Sequence, residues 1–431
     1  MIITPNGFFV LKPNYKELQN KYTFILEEGF GKNAFKSYHE YFTMVGKGAI
    51  VPRIEFKNSN PKSEIKKYPI KVSSNVILSS NQKLVVNYIK NKFNQFIAED
   101  KVPIRTSYTI KMGTGQGKTY IATGLINLFK VKTLYVVHDE KSLLGIESRL
   151  KQFLNCSIGV YYGKRKTDGD VVIGIINSLL NASLDFFQFS FYIYDEAHRY
   201  LSDKRFNIFN KIGLYSIGLT ATPNEYGEEK QKVLSDMLGP ILDVTKIKGF
   251  EIKEVDFKGI VHVVKYNIKE PVKINNMINV AKTVQSFIDN EELTDLIVQW
   301  MINLKERNKS VYIFAETKIY LDHLFFACPF KNKVMLRGKA CKEDYEDANN
   351  ADFIFTTYAF GSDALSIAHM DAIIYATPRK KNDQSSGRIL RMDGDVSSLR
   401  EIVDIVHSCF YKQFEERTII YKQKGFNIKY L

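Results

Sequence analysis

The sequence predicts an α/β protein with two tandem parallel-sheet lobes and a small N-terminal accessory domain. From about residue 76, short and almost wholly apolar runs alternate with amphipathic helical segments, a pattern typical of parallel strands covered by helices on both faces. The alternation pauses between residues 224 and 290 and then resumes, whereas residues 1–75 are aromatic and basic without a helical period. We therefore predict an accessory, substrate-contacting domain over 1–75, a first lobe over 76–245 and a second lobe over 246–431.

Each lobe is predicted from the order of its strands and helices. The first lobe is predicted to contain strands TSYTIKM (106–112), TLYVVH (133–138), DVVIGII (170–176), FYIYD (191–195) and YSIGLT (215–220), with helices YIATGLINLFK (120–130) and KSLLGIESRLKQFL (141–154). The second lobe is predicted to contain strands SVYIFAE (310–316), DFIFTTY (352–358), AIIYATP (372–378) and EIVDIVH (401–407), with helices TDLIVQWMINLKE (294–306) and FYKQFEERTIIYKQKG (410–425). Gly425 is the expected stop of the closing helix.

Composition and charge favour a globular protein with a polyanionic partner. Of the 431 residues, 45% are hydrophobic and 25% are charged, the balance of a folded domain. Lys and Arg number 61 against 47 Asp and Glu, a formal net charge of +14, which suits contact with phosphate backbones. None of the four cysteines lies in a CxxC pair, so a zinc finger is not expected. No apolar run reaches the roughly 18 residues of a membrane span, so we expect a cytoplasmic protein with no membrane partner.

A glycine-rich loop between a strand and a helix predicts a site for a nucleoside triphosphate. The segment GTGQGKT (113–119) lets backbone N–H groups and the start of a helix face a phosphate. Lys118 would reach the β- and γ-phosphates, and Thr119 would place its hydroxyl on Mg²⁺. Met112 stands where the general pattern GxxxxGK[ST] has glycine. The predicted nucleotide-binding residues of the loop are Gly113, Thr114, Gly115, Gln116, Gly117, Lys118 and Thr119.

Two acids at the end of the apolar strand FYIYD predict the hydrolytic part of the same site. The carboxyl edge of a parallel sheet is where ligands of such folds bind. Asp195 could hold the Mg²⁺ shell, through water, and Glu196 could polarise the attacking water. His198 is better explained as a link from this site to the next segment than as a catalyst.

These segments resemble the motifs of superfamily 2 helicases over residues 76 to 425. Asp195–His198 (DEAH) resembles motif II, and Thr220–Pro223 (TATP) resembles motif III, which couples hydrolysis to lobe movement through Thr220, Ala221 and Thr222. Gln384–Arg391 (QSSGRILR) resembles motif VI. The resemblance implies two RecA-like lobes, ATP and Mg²⁺ as cofactors, catalytic roles for Lys118, Glu196 and Gln384, and arginine fingers at Arg388 and Arg391.

Further matches supply the remaining predicted residues. Gln82 stands where the family has an adenine-reading glutamine, and 136–144 and 313–324 resemble motifs Ia and IV. The strand-edge segment 172–180 offers Ser178 as a contact to nucleic-acid phosphates, and Thr357 and Ser366 are the candidates of the second lobe. Motif V departs from the family, because SDALSIAHMD (362–371) has Ala364 and Ser366 where Gly and Asp are usual. Serine at that place resembles phage branch-migration helicases of the UvsW kind, as the C-terminal segment also does, with viral and XPB-like relatives.

Four functional hypotheses remain open at this stage. The first is a monomeric DNA translocase that remodels forks and Holliday-type junctions, in host cytoplasm if a phage encodes it. The second is an RNA-directed or transcript-release motor, since such lobes grip phosphates more than bases. The third, a nucleic-acid-binding ATP switch, predicts loss of Lys118, Glu196, Arg388 or Arg391, all of which are present. The fourth, a small-molecule kinase, has no use for a second lobe.

Overall fold

A computed structural model shows the architecture of the chain. It describes residues 2–28, 35–56, 62–98, 105–113, 116–183, 186–202, 205–224, 227–251, 259–267, 271–275, 277–337, 342–358, 360, 367, 369–379, 389 and 399–431. The chain divides into two compact units, Met1–Ile252 and Lys253–Leu431. Over these ranges, no helix has the length and apolar character needed to cross a bilayer.

The N-terminal residues form a small antiparallel structure within the first unit. Strands pair in the order β5-β6-β2-β1-β7, with β7 parallel to β1, and β3 pairs with β4 as a separate hairpin. The segment Lys62–Ser63, which has no strand pattern in the sequence, pairs with β1. The elements are β1 (Ile2–Thr4), β2 (Gly7–Leu11), α1 (Tyr15–Lys21), β3 (Thr23–Glu28), β4 (Phe35–Glu40), β5 (Thr43–Val45), β6 (Gly48–Val51) and β7 (Lys62–Ser63).

The first lobe is an eight-stranded sheet with helices on its faces. Its strands follow the order β11-β10-β12-β9-β13-β14-β8-β15, and every pair is parallel except β10 with β11. The elements are α2 (Ser80–Ala98), β8 (Ser107–Lys111), α3 (Lys118–Phe129), β9 (Thr133–Val137), α4 (Glu140–Phe153), β10 (Ile158–Tyr162), β11 (Arg165–Lys166), β12 (Val171–Ile175), α5 (Ile176–Leu179), β13 (Phe191–Asp195), β14 (Tyr215–Thr220), α6 (Glu228–Leu238) and β15 (Ile241–Asp243).

The second lobe is a seven-stranded parallel sheet in the order β20-β21-β19-β22-β23-β16-β24. A short hairpin, β17 with β18, precedes its helices. The elements are β16 (Gly259–Tyr266), β17 (Lys273–Ile274), β18 (Met277–Ile278), α7 (Val280–Gln285), α8 (Glu291–Glu306), β19 (Val311–Ala315), α9 (Lys318–Ala327), β20 (Lys333–Leu336), α10 (Lys342–Ala348), β21 (Phe353–Thr357), β22 (Ala372–Tyr375), β23 (Arg400–His407), α11 (Tyr411–Gln423) and β24 (Asn427–Tyr430). The predicted fold class, α/β with two tandem parallel-sheet lobes, is confirmed.

The N-terminal structure and the first lobe share one hydrophobic core. Polar contacts also join them, since the Tyr41 hydroxyl donates to Asp236 Oδ2 at 3.0 Å and Lys211 Nζ donates to Asn6 Oδ1 at 3.0 Å. The domain boundaries predicted at residues 75 and 245 stay predictions. The N-terminal members of the shared core are Ile3, Phe8, Leu18, Tyr22, Tyr41, Phe42, Ala49, Val51 and Phe56, and its first-lobe members include Leu134, Val136, Tyr192, Tyr194, Leu234 and Met237.

Candidate active site

Three neighbouring strands of the first lobe bring the predicted site residues to one edge of the sheet. Strands β13, β14 and β8 are adjacent and parallel, so their carboxyl ends lie side by side, roughly 5 Å apart from strand to strand. The glycine-rich loop follows β8, Thr220 ends β14 and Asp195 ends β13. Segments separated by up to about a hundred residues along the chain therefore meet at this edge.

The glycine-rich loop is held by two glutamine side chains. The Gly113 N–H donates to Gln116 Oε1 at 2.9 Å, and Gln82 Nε2 donates to the Gln116 carbonyl at 3.1 Å. Gly117 precedes α3 with φ of +88°, and a Cβ at this position would collide with Gln82 Nε2. The backbone conformation therefore favours glycine here, and any larger residue would also displace the Gln82 side chain. Thr114 and Gly115 lie outside the described residues.

The lysine of the loop contacts the second acid of the DEAH segment. Lys118 Nζ lies 2.7 Å from Glu196 Oε1, so the two predicted catalytic residues meet directly. Glu196 has φ of +46°, the left-handed region that side chains other than glycine seldom adopt. Such conformations cost about 1–3 kcal/mol and persist at functional sites, where the surroundings hold them in place.

The two adjacent acids have opposite electrostatic environments. Burial, and then the neighbouring Glu196 carboxylate, raise the pKa of Asp195 above its usual range. Burial alone would also raise the pKa of Glu196, but the Lys118 ammonium and then His198 lower it below its usual range. A cation bound beside Asp195 would stabilise the charged carboxylate and so lower the pKa of Asp195.

The residues of this edge fit the ATP and Mg²⁺ that the resemblance to helicases implies. Glu196 Oε2 is buried without a hydrogen-bond partner among the described residues, which leaves an oxygen able to meet a hydrated cation or a water. Carboxylate and hydroxyl oxygens of Asp195 and Thr119 are the ligand type that Mg²⁺ prefers. The start of α3, capped by Gly117 without a side-chain hydrogen bond, presents backbone N–H groups to a phosphate.

A buried histidine connects the DEAH segment to the TATP segment. The ring of His198 is fully buried, and its Nδ1 lies 2.7 Å from Thr220 Oγ1. The same Thr220 oxygen accepts from the Thr222 N–H at 3.1 Å, with the half-buried Ala221 between them. His198 Nδ1 also lies 3.6 Å from Glu196 Oε2. The imidazole ring of His198 therefore connects the Glu196 carboxylate to the TATP segment.

Sequence reasoning missed several residues around this site. Arg149 on α4 donates to Thr119 Oγ1 at 3.5 Å, and His138 after β9 contacts Arg199. Tyr135 is fully buried, and its pKa is raised by burial and then by Asp195. Each lies far along the chain from the motif it supports, and no local pattern in the sequence signals such contacts.

The predicted nucleic-acid contacts are dispersed over both units. Ser178 lies on α5, and its Oγ accepts from the Gly163 N–H at 3.4 Å. Thr357 ends β21, and its Oγ1 accepts from the Phe360 N–H at 3.3 Å. The predictions for Gln384, Arg388, Arg391 and Ser366 fall outside the described residues.

Comparison with known proteins gives consistent matches. The family described as "Type III restriction enzyme, res subunit" matches residues 75–225. QP509L of African swine fever virus, provisionally named an ATP-dependent RNA helicase, is 29% identical over 364 residues, covering 74% of this chain and 69% of its own. The DNA 3'-5' translocase XPB2 of Sulfurisphaera tokodaii is 26% identical over 220 residues, covering 50% of this chain and 48% of its own.

One solved structure supports the fold. S. cerevisiae Dbp5 bound to RNA and ADP BeF3 aligns with 82% of this chain and 94% of its own, at 12% identity and a TM-score of 0.51. The crystal structure of T4 UvsW aligns with 96% of this chain and 95% of its own at 13% identity, with a TM-score of 0.33 that is too low to carry weight. Together with the DEAH and TATP segments, the family and relative matches show an ATP-hydrolysing enzyme that resembles the superfamily 2 helicases, with viral and XPB-like relatives.

Proposed function

We propose that the chain is an ATP-driven DNA motor that remodels branched DNA such as forks and Holliday-type junctions. The observation that supports the ATP-driven part best is the direct contact between Lys118 and Glu196 at the carboxyl edge of β8 and β13. A basic and an acidic catalytic group meet there, beside a helix start and a second buried acid. Phosphoryl transfer to water needs a cation for the phosphates and a carboxylate for the attacking water, and this edge supplies both groups.

Each residue of the first lobe has a distinct role in this proposal. The loop 113–119 binds the phosphates, and Lys118 exchanges its contact with Glu196 for the negative charge of the triphosphate. Glu196, released from that ion pair, accepts a proton from the attacking water. Bound Mg²⁺ supplies charge neutralisation at the phosphates, and Thr119 and Asp195 would hold it, Asp195 through water.

The second lobe supplies the remaining positive charge in this proposal. Arg388 and Arg391, with Gln384, stabilise the charge that develops on the transferring phosphoryl group. Because these residues come from the other lobe, hydrolysis depends on closure, and hydrolysis in turn allows the lobes to separate. The segment that follows β14 responds to whether the γ-phosphate is present. This response passes through His198, Thr220 and Thr222.

The first lobe offers a track for a phosphate backbone along the same sheet edge. In the strand order β10-β12-β9-β13, β9 separates β10 and β12 from β13. The carboxyl ends of β10 and β12 therefore lie on the same sheet edge, further from the proposed nucleotide site. Ser178 follows β12, and the β10–β11 hairpin beside it exposes Lys164, Arg165 and Lys166. Hydroxyls and lysines of this kind contact phosphates without reading bases. Together with Thr357 and Ser366 of the second lobe, they are the proposed nucleic-acid contacts.

A branched substrate is favoured by the N-terminal structure. Its shared core with the first lobe fixes it to the motor, so a second DNA arm bound there would be held at a set position relative to the track. Its exposed surface is rich in lysine, which suits a duplex backbone. The exposed lysines are Lys12, Lys16, Lys21, Lys47, Lys66 and Lys67.

A strand-exchange assay tests the proposed activity. Labelled four-way junctions, forks and linear duplexes of matched sequence and length are incubated with the enzyme and ATP, with a Glu196→Gln variant as control. ATP-dependent conversion of junctions and forks, faster than separation of linear duplex and absent with Glu196→Gln, is the expected result. Equal or faster separation of linear duplex would contradict the preference for branches.

An RNA-directed motor is the second candidate, because QP509L is provisionally named an RNA helicase and Dbp5 was solved with RNA. Contacts restricted to phosphates do not separate the two substrates. The same assay with RNA duplexes and RNA–DNA hybrids distinguishes them. If RNA-containing duplexes are unwound and DNA junctions are not converted, the RNA motor is established and the DNA motor is rejected.

A further inference from the structure

The second lobe contains a buried ion pair that the proposed mechanism has not used. Asp404 on β23 and Arg417 on α11 are 0% and 2% exposed. Arg417 Nε lies 2.9 Å from Asp404 Oδ2, and its Nη2 lies 2.8 Å from Oδ1, a two-pronged contact. The buried hydroxyl of Tyr421, one helical turn further along α11, donates to Asp404 Oδ2 at 2.6 Å. All three polar groups are thus fixed relative to one another.

The remaining nitrogen of this guanidinium reaches a backbone atom outside the cluster. Arg417 Nη1 donates to the carbonyl of Arg379. Arg379 lies nine residues before Arg388 along the chain, so the carbonyl belongs to the strand exit from which the predicted motif VI departs. The Arg379 side chain is itself held, with its guanidinium 5.4 Å from the Tyr358 ring centre and its Nη1 3.4 Å from Glu316 Oε2.

The same cluster joins the exits of three strands. The buried Tyr358 hydroxyl, after β21, donates to the Thr377 carbonyl, after β22, at 2.7 Å. Thr377 Oγ1 accepts from the Glu316 N–H, after β19, at 2.9 Å. One hydrogen-bond network therefore joins the strand ends that lead into predicted motifs IV, V and VI. Arg417 contacts this network through the Arg379 carbonyl.

A buried ion pair is an unusual way to gain stability. Removing two charges from water is costly, and apolar side chains of similar size often stabilise a core equally well. Although burial opposes the charged form of Arg417, the Asp404 carboxylate raises its pKa above its usual value, so the guanidinium stays charged. A guanidinium, unlike an apolar side chain, is a rigid planar group whose N–H donors orient several acceptors at once. Here one of those acceptors is the backbone that leads to motif VI.

We propose that Asp404, Arg417 and Tyr421 form a positioning unit that sets the departure of motif VI from the sheet and so places Arg388 and Arg391 for hydrolysis. This inference rests on the proposed function, since it assumes that motif VI supplies the arginine fingers. The three residues act through the backbone of Arg379 and need no contact with the nucleotide. The unit should therefore affect the rate of hydrolysis more than the binding of ATP.

The test is steady-state ATP hydrolysis by the full chain at saturating single-stranded DNA, with binding of a fluorescent ATP analogue measured separately. Arg417→Lys keeps the positive charge but has a single ammonium that cannot hold both Asp404 oxygens and the Arg379 carbonyl. We expect kcat to fall about tenfold while KM and analogue affinity stay within about twofold. Tyr421→Phe, which removes one hydrogen bond, should lower kcat about threefold.

A matched pair of double variants separates positioning from stability. Asp404→Leu with Arg417→Met removes the ion pair without leaving one buried charge alone, and kcat should fall as in Arg417→Lys. The control is Glu401→Leu with His262→Phe, which removes the 2.9 Å pair between the start of β23 and β16 and leaves the third partner, Arg307, at its partly exposed position. This control should keep wild-type kcat. Equal losses in both double variants would overturn the inference, and if the first fails to fold, Arg417→Lys and Tyr421→Phe decide it.

Combination with Arg388→Ala separates this inference from the function on which it rests. If the unit acts through motif VI, Arg417→Lys should lower kcat little further once Arg388 is absent, because both changes affect one step. A fully multiplicative loss would overturn the inference. A normal kcat in Arg388→Ala would reject the proposed finger and the inference together. A low kcat in Arg388→Ala with a normal one in Arg417→Lys would reject the inference alone.

Discussion

The two lobes share a parallel-sheet architecture but hold their functional residues in different ways. In the first lobe, residues from separate motifs contact one another directly, as Lys118 does with Glu196 and His198 with Thr220. In the second lobe, buried side chains hold the backbone at the strand ends that lead to the predicted motifs, as when Arg417 and Tyr358 donate to the carbonyls of Arg379 and Thr377. The first lobe thus fixes the side chains of its motifs directly, whereas the second lobe fixes the backbone from which a predicted motif continues.

The largest change expected is removal of residues 1–75. Nine N-terminal residues of the shared core are buried against the first lobe, and each large apolar side chain contributes about 1.5–3 kcal/mol when buried. We expect the truncated chain to lose cooperative thermal unfolding, as measured by circular dichroism. The matched control is Leu11→Ser, which alters an exposed residue of the same structure and should unfold as the wild type. A truncated protein with an unchanged melting temperature would instead show an independent accessory domain.

Lys118→Ala tests the direct contact in the first lobe. Loss of a charge that meets the transferring phosphoryl group should lower kcat by about a thousandfold, while the fold is kept. The Lys118 ammonium lies in a 2.7 Å ion pair with Glu196. Lys151→Ala is the control, because it removes another 2.7 Å lysine–glutamate pair of this lobe. Hydrolysis by Lys118→Ala at the wild-type rate would show that the phosphate loop is wrongly assigned.

Arg391→Ala tests the contribution of the second lobe. If this arginine acts mainly in the transition state, kcat should fall about a hundredfold while ATP affinity changes little. Hydrolysis and equilibrium binding of a fluorescent ATP analogue measure the two effects separately. Equal loss of both would argue against an arginine finger at this position.

His198→Ala tests the coupling between the DEAH and TATP segments. Removing the ring breaks the 2.7 Å contact with Thr220, so stimulation of hydrolysis by nucleic acid should fall about tenfold with smaller loss of the unstimulated rate. Thr220→Val should have the same effect, and the double variant should be little worse than either single one. Multiplicative losses would mean that the two residues act independently.

The smallest effect concerns the exposed hairpin of the first lobe. Lys164→Ala with Lys166→Ala should weaken binding of single-stranded DNA and lower the slope of log affinity against log salt by about 1.4, since each phosphate contact contributes about 0.7. Lys71→Ala with Lys90→Ala, two exposed lysines of the same unit away from this edge, is the control pair. Equal slopes in both pairs would exclude the hairpin from the track.

Local patterns in the sequence predict the parallel strands and fail where distant segments must meet. Strands 191–195 and 215–220 have the predicted bounds, because each is an apolar run long enough to cross a buried sheet. The stretch 224–290 has a weak overall pattern, yet it contains α6, whose first turns are charged, and β16, a mostly apolar strand that was not predicted. The N-terminal sheet was not predicted, since its strands are very short and two of its pairings, β2 with β6 and β1 with β7, join segments far apart along the chain.

The motifs predict which residues form the candidate site, but they do not predict the contacts among those residues. Lys118 and Gln82 are recognisable by position in the sequence. That Lys118 contacts Glu196 across 78 residues, and that Gln82 holds the Gln116 carbonyl, depends on the order of strands in the sheet. The cluster of Asp404, Arg417 and Tyr421 has no motif of its own, because its target is a backbone carbonyl.

The most direct test of the account is steady-state ATP hydrolysis by the wild-type chain with a matched panel of nucleic acids. The panel comprises no nucleic acid, single-stranded DNA, duplex DNA, a fork, a four-way junction, and single- and double-stranded RNA, each at two salt concentrations. We predict stimulation by DNA that is strongest with the fork and the junction and that weakens at the higher salt. Stimulation by RNA alone, or by none of the panel, would contradict the DNA motor.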